Sequence, residues 1–139
     1  MHRSRIAVVL IDHPEESYDA AAGFWSGVRG TSRDTVGRVS DDEPYESLDP
    51  LPGGLMLELQ RTGAGTPARV HLDLETDDVA AEVARVVGLG ATVTDEREGW
   101  TILADPGGLL FCVVPVQTDR AEFDAHSTGW HDDGRPVTA

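Results

Sequence analysis

The stretch VHLDLETDDVAAEVARVVGLGATV, residues 70–93, places a strand, a turn and a helix in immediate succession. Val70, Leu72 and Leu74 alternate with His71, Asp73 and Glu75, the period-two signature of a strand with one apolar and one polar face. Thr76-Asp77-Asp78 supplies N-cap and first-turn chemistry, because short polar side chains accept from backbone N–H groups that the first helical turn leaves unpaired. Val79, Val83, Val86 and Val87 then recur at helical spacing, and Gly90 marks the stop.

Downstream, Ala91 to Asp95, Trp100 to Ala104 and Leu109 to Val116 read as three strands, the last two joined by the turn Asp105-Pro106-Gly107-Gly108. The same order occurs upstream. Ile6 to Ile11 is a run apolar on both faces, as in a buried strand, and Asp12-His13-Pro14 breaks it. Pro14, Glu15 and Glu16 suit the start of a helix, whose stripe is Tyr18, Ala21, Ala22, Trp25 and Val28 and whose stop is Gly30. Thr35 to Val39 and Tyr45 to Leu48 are the expected middle strands, and Leu55 to Gln60 follows the turn Pro52-Gly53-Gly54. Two strand–helix–strand–strand–strand modules result, residues 5–60 and 69–116, joined by a linker over 61–68. Together they form one domain over 1–117, and 118–139 is a polar tail, expected to be disordered or docked at a dimer interface.

The 139 residues are one domain's worth of chain, long enough to bury a core without disulfides. A formal charge of -14 repels phosphate backbones and anionic lipid, so nucleic acid and membrane surfaces are not the expected partners. All eleven basic residues are arginine, and lysine and asparagine are absent; their AT-rich codons make a GC-rich bacterial genome the simplest explanation. The single cysteine, Cys112, cannot close an internal disulfide, and no secretory pattern opens the chain, so a cytoplasmic setting is expected.

Residues 70–93, with GWTILADPGGLLFCVV (99–114) and, in outline, RIAVVLIDHPEESYDAAAGFW (5–25), resemble the vicinal oxygen chelate superfamily. That superfamily includes glyoxalase I, bleomycin-resistance and fosfomycin-resistance proteins and extradiol dioxygenases. The resemblance implies an α+β fold in which two βαβββ modules form a curved, cup-shaped mixed sheet with helices on its outer face. It also implies a cavity for a small-molecule ligand and, often, a homodimer.

In metal-using members the ligands lie on the first and last strands of each module. Carried onto this chain, those positions are Arg5, Glu58, His71 and Cys112. Glu58 and His71 are what the motif supplies, and the resemblance implies catalytic roles for both. Arg5 departs from it: a guanidinium has no lone pair for a cation and instead matches a substrate carboxylate or phosphate, unless it tethers its strand to an acidic neighbour. Cys112 also departs, since a thiolate favours zinc over hard ions, and a cysteine among apolar neighbours is often simply a small hydrophobe. Glu58, His71 and Cys112 are the expected metal set if a divalent ion such as zinc or nickel is held; the expectation favours no cofactor. Trp100, at the start of a strand near the cavity, is either core or a stacking surface for a ligand.

Two functions fit these residues. One is a glyoxalase-like lyase or isomerase, with Glu58 as general base and His71 as ligand or acid–base partner on a small oxygenated molecule with a degenerate metal site. The other is a metal-free protein that sequesters a metabolite or antibiotic, of bleomycin-resistance type.

Overall fold

A computed structural model describes residues 1–33 and 44–138. The fold is α+β, with three α-helices and eight strands among the described residues. The chain forms two compact units, residues 8–71 and residues 1–7 with 72–139. Two strands, β1 (His2–Pro14) and β4 (Arg69–Thr76), contribute to both.

In the first unit, β1 leads into α1 (Glu15–Arg29), and β2 (Tyr45–Ser47) precedes β3 (Met56–Thr62). Strand order is β2-β3-β1, with β1 parallel and β2 antiparallel to β3, so the sheet is mixed. Glu15 and Glu16 sit at the positive end of α1, and Gly30 closes it in the left-handed conformation (φ 73°) that favours glycine. Tyr18, Ala22, Leu48 and Leu59 form the core beneath α1, with Ile11, Trp25 and Leu57 packed against them. Trp25 is therefore a core residue, as its helical spacing suggests. The expected strand Thr35 to Val39 lies outside the described residues.

In the second unit the full βαβββ order is present: β4, α2 (Val79–Gly88), β5 (Thr92–Arg97), β6 (Trp100–Ala104) and β7 (Leu110–Pro115). The strand order is β4-β7-β6-β5. β4 and β7 are parallel and the remaining neighbours antiparallel. Asp78 caps α2 by accepting from the Ala81 N–H. Val86, Leu103 and Val113 are the core under α2, joined by Leu74, Val79, Val83 and Phe111. Val79, Val83 and Val86 of the expected stripe thus form the packing face of the helix, whereas Val87 is exposed.

The segment read as a polar tail contains α3 (Arg120–His126) and β8 (Thr128–Trp130). β8 pairs antiparallel with the start of β1, His2 opposite Trp130. Phe123 is wholly buried, and the Trp130 indole donates to Ser4 Oγ at 2.8 Å. The Arg85 guanidinium lies 3.8 Å from the centre of the Trp130 ring and pairs with Glu82, which also contacts His2 Nε2 at 2.7 Å. The terminal segment is therefore held by an apolar anchor and a buried polar network. No helix among the described residues is long and apolar enough to cross a membrane.

Candidate functional site

Strand alternation divides β4 into two faces. Leu74 packs into the core under α2, so His71, Asp73 and Glu75 point the other way. On β7, Phe111 and Val113 share that core and Cys112 opposes them. Asp73 and Cys112 are direct partners in the β4–β7 register. His71 precedes Asp73 by one pleat repeat on the same strand. In consequence the ligand-bearing atoms of His71, Asp73 and Cys112 all lie within 4.8 Å of one another.

An imidazole, a carboxylate and a thiolate are together a zinc-type donor set. Thiolate turns selectivity away from magnesium, calcium and manganese, which favour oxygen. Asp73 is the member that sequence reading missed. The signal was present in the His-Leu-Asp spacing at 71–73, which puts both polar residues on one strand face.

The His71 ring is oriented from behind. Asp12 Oδ2 lies 2.7 Å from His71 Nδ1, and Asp12 is wholly buried. A carboxylate at Nδ1 favours the tautomer with its proton there, which puts the ring's lone pair on Nε2, the arrangement that metal-binding histidines use. Arg69 Nε also donates to Asp12 Oδ2, at 3.2 Å, so one carboxylate oxygen serves a histidine and an arginine. Asp12 Oδ1 is buried with no hydrogen-bond partner among the described residues.

The other expected site residues are placed as follows. Arg5 is engaged by Glu75: its Nε donates to Glu75 Oε1 at 2.7 Å, with both side chains buried. Its remaining nitrogens reach Thr118 Oγ1 at 2.8 Å and the Glu122 carbonyl at 3.3 Å. Arg5 thus tethers its strand to an acidic neighbour. Burial works against ionisation of Glu75, but donation from the Thr118 hydroxyl, the Thr118 and Gln117 N–H groups and Arg5 outweighs it. Its pKa is held below the usual carboxylate value. Glu58 lies on β3 in register with Leu10 and Ser47, on the face opposite the core residues Leu57 and Leu59. Trp100 begins β6 opposite Arg97, at the turn end of the β5–β6 hairpin. An apolar cavity of about 310 Å³ lies on the α2-facing side, lined by Leu72, Leu74, Val86, Leu89, Leu109 and Phe111 among others. It is separate from the polar face of β4.

Solved structures share this fold. A crystal structure described as an NAD-dependent benzaldehyde dehydrogenase from Legionella pneumophila matches with a TM-score of 0.54 at 12% identity, over 79% of this chain and 98% of that one. The Mn(II)-bound glyoxalase from Novosphingobium aromaticivorans matches with a TM-score of 0.54 at 22% identity, over 86% of this chain and 44% of that one. Homoprotocatechuate 2,3-dioxygenase from Arthrobacter globiformis gives a TM-score of 0.51 at 18% identity, over 88% and 39%. The chain spans less than half the length of the last two, and at these identities the likeness is one of fold. No curated protein matches the chain in sequence. Residues 8–114 match the family described as "Glyoxalase-like domain", and the chain belongs to it.

Proposed function

We propose that this protein binds a small oxygenated molecule at a divalent, thiolate-accepting cation held by His71, Asp73 and Cys112, zinc being the ion the donors suit best. The observation that carries this reading is the 4.8 Å grouping of nitrogen, oxygen and sulfur donors. The carboxylate behind His71 supports it, since such a partner fixes the ring and raises its basicity as a ligand. When bound, the ion supplies Lewis-acid polarisation of a ligand oxygen. The chain itself orients His71 through Asp12 and buries Cys112, which is 8% exposed. With three protein donors, such an ion would have room to accept a ligand oxygen as well. Glu58 is the general base of the glyoxalase-type lyase or isomerase version of this reading.

Purified without an affinity tag and incubated with zinc or cobalt, the protein takes up about one equivalent. Cobalt loading gives a thiolate-to-metal absorption band that disappears in C112S, and D73N lowers the affinity. Uptake below about one-tenth equivalent would refute the reading. The second reading, metal-free sequestration, draws on the burial of Cys112, since a buried free cysteine serves as a small hydrophobe. A thermal shift with an antibiotic or metabolite in zinc-free protein, equal in wild type and C112S, would favour it.

A further inference from the structure

The first strands of the two modules carry a reciprocal pair of ionic contacts. Each has an arginine near its start and a buried acid near its end: Arg5 and Asp12 on β1, Arg69 and Glu75 on β4. Arg5 of β1 pairs with Glu75 of β4, and Arg69 of β4 pairs with Asp12 of β1. Yet the two arginines are used differently. The Arg5 side chain is 6% exposed, and its whole fork is engaged by Glu75, Thr118 and the Glu122 carbonyl. The Arg69 side chain is 41% exposed. Only its Nε is engaged, and its two terminal nitrogens have no partner among the described residues.

Resting on the function proposed above, we infer that Arg69 is the specificity-determining residue of the site and that the ligand is an anion, a small oxygenated molecule bearing a carboxylate. The guanidinium is anchored at Nε by the same carboxylate oxygen that contacts His71 Nδ1, which leaves its two terminal nitrogens for a ligand. Two parallel N–H donors on those nitrogens match a carboxylate's two oxygens, which makes the contact bidentate. Asp12 is neutralised by this arginine, and a divalent ion on Asp73 and Cys112 offsets their negative charge. The immediate surroundings therefore accept an anion despite the formal charge of -14 on the chain. The arginine, the histidine and their shared carboxylate all lie within residues 8–71.

Glycolate, lactate and mandelate, each beside its neutral amide, test this by NMR titration of the zinc-loaded protein. At least one acid should bind ten times more tightly than its amide. R69Q should lose at least tenfold for that acid and leave the amide unchanged, while R69K, a point charge without a fork, should recover only part of the loss. R69Q should keep the wild-type melting temperature and zinc stoichiometry. Equal binding of acids and amides, an equal loss for both in R69Q, or no binding across the panel would overturn the inference. Failed zinc uptake by the wild type would instead overturn the metal reading, which the uptake measurement reports independently of Arg69.

Discussion

Asp12 and Glu75 occupy matching places in the two modules and have opposite characters. Each follows the strand residue that packs under its helix, Ile11 in one case and Leu74 in the other, and each is wholly buried. Glu75 accepts from Arg5, from the Thr118 hydroxyl and from two backbone N–H groups at the start of the α3 segment. Among the described residues Asp12 accepts through Oδ2 alone, from Arg69 and His71, and its Oδ1 has no hydrogen-bond partner. Burial is the same, so burial does not separate a structural carboxylate from a functional one. Satisfaction does. A carboxylate with every lone pair engaged holds the fold, whereas one that serves a single histidine and a half-exposed arginine organises a site.

That contrast breaks most readily at the structural pair. Glu75→Ala leaves the Arg5 guanidinium buried without its counter-charge and should cost about 3–5 kcal/mol in urea unfolding, the range for breaking a buried ion pair. If Glu75→Ala costs no more than Asp12→Asn, the two carboxylates do not differ as argued.

Acid should expose the same difference. Glu75 and Glu82 both titrate below the usual value of 4.5 in the folded chain. For Glu82, burial opposes ionisation, but donors from Arg85 and His2 and the positive charge of Arg85 prevail. Groups with depressed folded pKa values stabilise the fold above their unfolded pKa. Their contribution is lost as pH falls through the depressed folded values. The melting temperature should therefore fall as pH drops below about 4.5, and Glu75→Gln should flatten that part of the curve. An unchanged slope in Glu75→Gln would place the acid sensitivity elsewhere.

Asp12→Asn should have its main effect on the site. Loss of the carboxylate behind His71 should weaken zinc binding about 10- to 100-fold, measured by chelator competition, as removal of such partners typically does. Glu75→Gln, where it folds, should bind zinc as the wild type does. The smallest expected effect is the stability of Arg69→Gln, within about 1 kcal/mol, because a half-exposed ion pair contributes little. Arg5→Gln should cost several times more; parity between the two arginines would erase the distinction.

The amino-acid sequence by itself determines the module order, because periodicity is local. Alternation at 70–75 and the valine stripe at 79–87 need no distant information, and both correspond to β4 and α2. Alternation also placed His71 and Cys112 opposite the apolar residues of their strands, and the same pattern around 71–73 contained Asp73. Local patterns do not extend to the terminal segment. Phe123 and Trp130 sit among polar residues, yet Phe123 is wholly buried and Trp130 pairs through β8 with β1, more than a hundred residues away in the chain.

The choice of partners was likewise decided only by tertiary structure. Nothing in residues 5–12 indicates that Arg5 turns to Glu75 while Asp12 holds His71 and Arg69, since each contact joins residues more than fifty positions apart. A strand's pattern sets which face a side chain occupies. Which charge it meets there depends on strand register and neighbour order, set by the packing of both sheet faces, and on this chain that separates a tether from a site.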